Sequence, residues 1–299
     1  MGVKVTVVGG GSTYTPELVE GLVARADRLP VDELVLLDTD AVRLEVVGGL
    51  ARRMLERAGY GGRLVLTGDR DAAIEGADFV LIQLRVGGQQ ARLGDETLPL
   101  KFGTIGQETT GAGGFAKALR TVPVILELAE AVARRGSPGA WIVDFTNPVG
   151  IVTQALLDDG HRAVGLCNAA ISLQRRFAGW YEVDPALVEL EHVGLNHLTW
   201  ERAVRVDGVD KLPEMLTEHA DRLAREMRLP AELMRSLGAI PSSYLRYYYL
   251  FDTVLEEQRR GHIRARDVME IESRLLELYR DPGLDHEPPL LAERGGAFY

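Results

Sequence analysis

Two features of the chain point to chemistry through residue type and spacing. The first is Gly9-Gly10-Gly11, which follows the apolar run Val5, Val7, Val8 and precedes Ser12-Thr13-Tyr14-Thr15-Pro16. Glycines at 9 and 11 let the chain turn tightly and bring bare backbone N–H groups near an anion. A helix starting just after them adds its N-terminal partial charge, a combination suited to a dinucleotide pyrophosphate. The third glycine of the usual fingerprint is replaced by Tyr14, and an ordinary strand-turn-helix connection is the alternative reading. Asp38 closes the next apolar run, "ELVLLDTD", where a carboxylate accepts ribose hydroxyls and repels a 2′-phosphate, so NAD is expected rather than NADP. The expected cofactor-binding residues are Gly9, Gly11, Ser12, Thr13 and Asp38.

The second feature is a set of polar side chains at the carboxyl ends of apolar runs, where open α/β sheets hold their ligands. "LRVGGQQAR" offers Arg85 and Arg92, "IGQETTGAGG" offers Glu108, "DFTNPVG" offers Asn147, and "GLCNAA" offers Cys167 and Asn168. Each has an ordinary structural reading beside the chemical one. The arginines suit surface ion pairs as well as phosphate, and Asn-Pro starts turns. Cys167 suits a small core residue, and His197 in "GLNHLTW" a hydrogen-bonded core histidine.

These residues need a scaffold, and the apolar pattern supplies one. Strand-like runs at Lys4–Val8, Glu33–Leu37, Arg63–Leu66, Phe79–Leu84, Trp141–Phe145 and Ala163–Leu166 alternate with helical periodicity at Glu17–Ala24, Ala41–Arg57, Asp71–Glu75 and Phe115–Arg135. That alternation predicts an α/β protein whose first domain, residues 1–168, is a Rossmann-type doubly wound parallel sheet. Residues 169–299 read as a second, α+β substrate domain, with "ELEHVGLNHLTWERAVRVDG" as a bent strand pair and "DVMEIESRLLELYR" as an amphipathic helix.

Composition narrows the partners. With 299 residues and a formal charge of −10, the chain lacks the basic surface that nucleic acid or anionic lipid requires, so an anionic substrate must meet a local arginine cluster. A single cysteine excludes an internal disulfide and fits the cytoplasm. No apolar run approaches the roughly 18–20 residues of a membrane span.

In chain order, "GGGSTYTPELVEGL", "IGQETTGAGGFAKALRTVPV", "DFTNPVG", "GLCN…LQRRFAG", "GLNHLTW" and "YLRYYY" resemble glycoside hydrolase family 4, the NAD- and metal-dependent glycosidases. Asn168 after the cysteine is similar to the 6-phospho-β-glucosidase branch, whereas the 6-phospho-α-glucosidases carry aspartate there. The resemblance implies a redox route in place of the usual carboxylate pair. NAD takes hydride from C3 of the sugar, the ketone acidifies C2, a base removes that proton, the C1 group leaves, water adds, and the hydride returns.

The resemblance assigns Cys167 and His197 to a divalent metal, usually manganese, and Tyr244 with Asn168 to the catalytic steps. Tyr247, Tyr248 and Tyr249 lie close by, and sequence alone does not choose among the four. Asn147 is implied to bind the sugar, Arg92 and Arg264 to grip the 6-phosphate with Arg85 helping, and Glu108 to support the loop. The implied partner is a 6-phosphorylated disaccharide or β-glucoside, and the implied assembly a homodimer or homotetramer. Two departures stand out. Ala169-Ala170 replaces the family's Val-Pro, and members are longer, so the substrate domain is expected to be C-terminally shortened. A lactate- or malate-type dehydrogenase, which shares the first domain, and a truncated inactive binder of NAD or metal are the competing expectations.

Overall fold

The computed structural model describes residues 2–296, which divide into two compact units. The first holds residues 2–102, 106–166 and 263–296, and the second 103–105 and 167–262.

In the first unit, β1 (Val3–Val8), α1 (Thr15–Val23), β2 (Val31–Leu37), α2 (Ala41–Arg57), β3 (Arg63–Thr67), α3 (Arg70–Ile74), β4 (Phe79–Ile82), α4 (Gly88–Thr97), α5 (Gly111–Arg135), β5 (Trp141–Asp144), α6 (Val149–Asp158) and β6 (Ala163–Gly165) follow in order. The strands form one parallel sheet in the order β3-β2-β1-β4-β5-β6, the doubly wound arrangement in which ligands bind at the strands' carboxyl ends. Strands covered on both faces read as unbroken apolar runs, and Val7, Leu34, Leu36, Val80 and Ile82 are indeed almost wholly buried. Asp40 caps α2 by accepting from the Arg43 N–H at 3.0 Å, which fixes its start where the sequence predicts it.

Among the helices that escaped the periodicity, α4 opens on glycine, α6 follows an Asn-Pro that reads as a turn, and α7 (Asn168–Tyr181) begins beside the cysteine. α5 starts four residues earlier than expected, at Gly111. Two residues into the helix glycine is a packing requirement, since a Cβ on Gly113 would lie 2.3 Å from the Asp95 carbonyl oxygen.

In the second unit, α7 is followed by β7 (Val188–Leu195), β8 (Leu198–Val206), β9 (Val209–Asp210), α8 (Leu212–Thr217), α9 (Ala220–Met227), α10 (Ala231–Leu237), β10 (Ile240–Pro241), α11 (Arg246–Tyr249) and α12 (Phe251–Arg259). The expected bent strand pair is the antiparallel β7–β8 hairpin, with a register shift between Leu190 and His192. Phe177, Val204, Met215, Leu223 and Ile240 form its core.

The C-terminal stretch differs from the expectation of a second domain running unbroken from 169 to 299. Helix α13 (Arg264–Tyr279) and α14 (Leu290–Gly296) fall in the first unit, where Ile271, Leu275 and Tyr279 share a core with Val5, Val47 and Leu50. Amphipathic spacing reveals that a helix has a face to bury, and leaves open which core receives it. Among the described residues no helix is long and apolar enough to cross a membrane.

Candidate active site

The glycine turn sits where β1 ends. Gly9 and Gly10 N–H groups both donate to the Leu37 carbonyl at 2.9 Å, and the Ser12 N–H donates to the Gly9 carbonyl at 3.0 Å. Gly9 has φ 88°, a region that favours glycine, and a Cβ there would lie 2.9 Å from the Gln83 carbonyl oxygen. Asp38 is tied directly to this turn, accepting the Gly11 N–H at 2.8 Å, while its other oxygen accepts the Asp40 N–H at 2.9 Å. Ser12 Oγ accepts the Tyr14 N–H at 3.3 Å. Thr13 is wholly buried: its hydroxyl reaches Glu272 at 3.5 Å, and its carbonyl accepts the Tyr279 hydroxyl at 2.8 Å. Thr13 therefore anchors the loop to α13. Helix α1 starts at Thr15, leaving its first-turn N–H groups next to the bare glycines.

Two charged clusters lie in the same unit. In one, the Glu108 carboxylate is 1% exposed and meets Arg85, Lys117 Nζ at 2.6 Å and Arg92 Nη1 at 3.4 Å. Burial alone would raise this carboxyl, yet the three cations hold it well below the usual carboxylate range. Burial in turn lowers Lys117 to about 8 against the pull of Glu108. Arg92 is also held by Glu96 Oε1 at 2.7 Å, and Glu96 Oε2 accepts the Ala265 N–H at the start of α13.

The other cluster is cationic. Burial, and then the Arg92 charge, lower the guanidinium of Arg264, whose Nη2 donates to the Arg294 carbonyl at 3.0 Å. Arg294 is 6% exposed, pairs with Glu272, and lies over the Tyr14 ring at 3.8 Å. Its Nε and Nη1 are buried and meet no hydrogen-bond partner among the described residues. Neither Arg294 nor Glu272 is among the residues expected from the sequence, because no local pattern links them to Tyr14. Arg85 lies with Glu108. Asn147 is half-buried at the end of β5, joined to Pro148 by a cis peptide bond.

The second unit holds the remaining candidates. Cys167 caps α7, Asn168 is the first and exposed residue of that helix, and Ala169-Ala170 continue it regularly. Asn196 and His197 form the two-residue turn between β7 and β8, with His197 at φ 65°, a strained conformation for a residue with a side chain. The turn brings His197 Nε2 to 3.4 Å from Cys167 Sγ. Burial pushes the Cys167 thiol up, and the Ala169 N–H and the Asn196 side chain pull it partly back.

The Tyr244 ring stacks flat on His197, 3.7 Å between centroids and 6° between planes. The structure separates the four tyrosines. Tyr249 accepts the Trp200 indole N–H at 3.2 Å, Tyr248 is 75% exposed, and Tyr247 stands edge-on to Tyr244 at 6.2 Å. Among the described residues no group of three or more His, Cys, Asp or Glu could hold a metal, so Cys167 and His197 form a two-residue donor set.

A doubly wound sheet with a glycine turn, together with these polar clusters, defines the class as a dinucleotide-binding α/β enzyme. Comparison with known proteins narrows this. The model "Family 4 glycosyl hydrolase" matches residues 4–182, and that of the family's C-terminal domain matches residues 192–298; the chain belongs to family 4 of the glycosyl hydrolases. It is 44% identical to the "Probable 6-phospho-beta-glucosidase" of Bacillus subtilis, over all of this chain and 71% of that protein. It is also similar to the 6-phospho-beta glucosidase from Thermotoga maritima, solved with manganese, NAD+ and glucose-6-phosphate: TM-score 0.89, 33% identity, 98% of this chain and 70% of that one. A phospho-alpha-glucosidase of Clostridium acetobutylicum is 31% identical over 89% of this chain and 64% of its own length.

Proposed function

We propose that the chain hydrolyses 6-phospho-β-glucosides, using NAD on the first unit and a divalent metal, manganese by likeness to the Thermotoga maritima structure, on the second. The observation that carries this reading is the cluster of buried Arg92 and Arg294 with half-buried Arg264, in which, among the described residues, two guanidinium donors of Arg294 lack a partner. Buried cations with spare donors call for an anion, and guanidinium groups match the oxygens of a phosphate. The higher identity to 6-phospho-β-glucosidases than to the α-specific relative supports the β branch.

The residues fit both absent groups. The turn at Gly9–Gly11 is bare backbone that a Cβ would fill, beside a helix N-terminus and the Asp38 carboxylate. Cys167 Sγ and His197 Nε2 lie 3.4 Å apart, close enough to serve as two ligands of one divalent ion. When bound, NAD supplies a reversible hydride acceptor and the metal a Lewis acid with open positions for sugar oxygens. A thiolate at Cys167 completes that donor set, and its raised thiol pKa makes metal binding release a proton near neutral pH.

Tyr244 Oη receives the C2 proton in this reading. Its ring is held flat against His197, beside the metal donors, with Tyr247 edge-on to it. Asn168 and Asn147 orient sugar hydroxyls, and Arg92, Arg264 and Arg294 hold the 6-phosphate. Glu96 and Glu108 keep Arg92 in place, and Arg85 braces Glu108. We assign the activity to the cytoplasm, where a phosphosugar and a reduced thiol both persist. Phe115 and Leu119, one turn apart on α5 and more than 60% exposed, support a homo-oligomer.

Turnover of a chromogenic 6-phospho-β-glucoside tests the reading. It is expected to require manganese and NAD, to stop on chelation, and to fall at least about 100-fold in Cys167→Ser, while NAD affinity stays near wild type. Hydrolysis insensitive to EDTA overturns it.

A further inference from the structure

One buried carboxylate in the first unit serves two sites at once. Glu272, in the middle of α13, is 6% exposed. Its Oε1 accepts from Arg294 Nη2, from Gln89 Nε2 at 2.9 Å and from the Thr13 hydroxyl at 3.5 Å, and its Oε2 pairs with Arg43 Nη1 at 3.5 Å. Burial alone would raise this carboxyl, yet the Arg294 and Arg43 charges hold it below the usual carboxylate range, so it is ionised at neutral pH. Two of these partners belong to the glycine turn: Thr13 lies in it, and Arg43, on α2, also donates from Nε to the Gly11 carbonyl at 3.2 Å. The other two belong to the anion cluster: Arg294 carries the spare donors, and Gln89 precedes Arg92 by one turn of α4. No step of the reaction described above uses Glu272, Gln89 or Arg43.

We propose that Glu272 is a positioning residue that couples the two sites, so that a pyrophosphate on the glycine turn raises the affinity for the 6-phosphate, and the reverse. The proposal rests on the phosphoglucosidase reading, which brings these two anions to the first unit. The coupling is one of shared ordering. Arg294 stacks on the Tyr14 ring, and a flat ring fixes the plane of a guanidinium while leaving it free to turn within that plane. The bond from Nη2 to Glu272 removes that freedom and determines that, among the described residues, Nε and Nη1 are the donors left for a ligand. Glu272 is itself held from the turn by Thr13 and Arg43. A pyrophosphate that settles on Gly9–Gly11 therefore orders the turn, the carboxylate and the arginine together, and a second anion binds without meeting that entropy cost again. Linkage makes the effect reciprocal, and couplings between sites commonly run about 5- to 150-fold in affinity.

Isothermal titration calorimetry, with manganese present throughout, tests this by measuring Kd for glucose-6-phosphate with and without saturating ADP-ribose. ADP-ribose carries the pyrophosphate of NAD but no nicotinamide, which removes direct contact between that ring and the sugar as a source of coupling. The readout is the ratio of the two Kd values, which a uniformly weakened site does not move. The wild-type ratio is expected to be about 5- to 30-fold, and Glu272→Gln, which keeps an acceptor for Thr13 but loses the charge that holds Arg294, is expected to bring it below about 2. Arg43→Met keeps the aliphatic stem at a partly exposed position, cuts the link on the turn side, and is expected to lower the ratio about 2- to 5-fold. Wild type that binds both ligands independently, or a folded Glu272→Gln that keeps the wild-type ratio, overturns the coupling and leaves the phosphoglucosidase reading standing. Should Glu272→Gln not fold, Arg43→Met decides, and an unchanged ratio there overturns the coupling. Wild type that binds neither ligand overturns the phosphoglucosidase reading itself, and the coupling with it.

Discussion

The Glu108 cluster and the Arg294 cluster lie in the same unit, are equally buried and share Arg92, yet their charges are balanced differently. Around Glu108 one carboxylate faces three cations, and each cation has an acidic partner within reach. Around Arg294, Glu272 serves Arg294, Arg43 and Gln89, and among the described residues two buried Arg294 donors are left over. A buried charge network closed on itself holds structure. One with guanidinium donors left over is, on the proposed reading, where the substrate's anion binds, and the contrast separates support from binding more clearly than residue type does. Arg85 and Arg92 both read as phosphate grips in the sequence, but Arg85 belongs to the closed cluster while Arg92 bridges the two.

The largest effect is expected from opening the closed cluster. Glu108→Ala leaves Lys117 and Arg92 buried with too little negative charge, and removing one partner of a buried pair costs about 3–5 kcal/mol. Urea unfolding of the variant should show a loss of that size. A loss under about 1 kcal/mol would mean that water compensates the cluster and that it is not closed.

The open cluster should respond in function more than in stability. Arg294→Gln is expected to lower kcat/KM for a 6-phosphoglucoside by about 2–3 kcal/mol, the value of one or two charged hydrogen bonds. Inorganic phosphate should raise the melting temperature of the wild type by mass action and leave that of the variant unchanged, while NAD stabilises both. If phosphate stabilises the two proteins equally, Arg294 is not part of the anion site.

How far the sequence revealed this depended on distance along the chain. The six strands were legible because a parallel strand buried on both faces is apolar throughout, and α2 was legible to its ends because Asp40 marks its start. Gly9, Gly11 and Asp38 could be proposed together from their spacing, and the 2.8 Å bond from the Gly11 N–H to Asp38 gives that spacing a physical basis. Cys167 and His197 sit in recognisable motifs, although the turn that joins them depends on a positive φ that no propensity predicts. Glu272 and Arg294 were not legible. Their partners are Thr13 and Tyr14, on the far side of the sequence, and α13 shows the same amphipathic pattern whichever unit it packs on.

Asp144 shows a third way of handling a buried charge, and it carries the smallest expected effect. It ends β5 fully buried, with Oδ1 accepting the Thr146 N–H at 2.9 Å and Oδ2 without a hydrogen-bond partner among the described residues. Glu108 is balanced by cations, whereas Asp144 has only a weak pull from Lys117, so burial pushes its carboxyl up to about 7. The folded chain therefore binds this proton more tightly than the unfolded chain, whose aspartates titrate near 3.9. The stability Asp144 contributes is complete below about pH 4, declines as pH rises toward 7, and is gone above that. Three pKa units at about 1.4 kcal/mol each set a ceiling near 4 kcal/mol, and relaxation of the Thr146 turn should reduce the measured value to about 1–2 kcal/mol. Asp144→Asn removes the titrating group while keeping an acceptor for Thr146, so it should stabilise the protein at pH 8 and leave it unchanged at pH 4.5. Urea midpoints at the two pH values check this, and equal midpoints for the two proteins at pH 8 would place a cation or water on Oδ2 and return Asp144 to the company of Glu108.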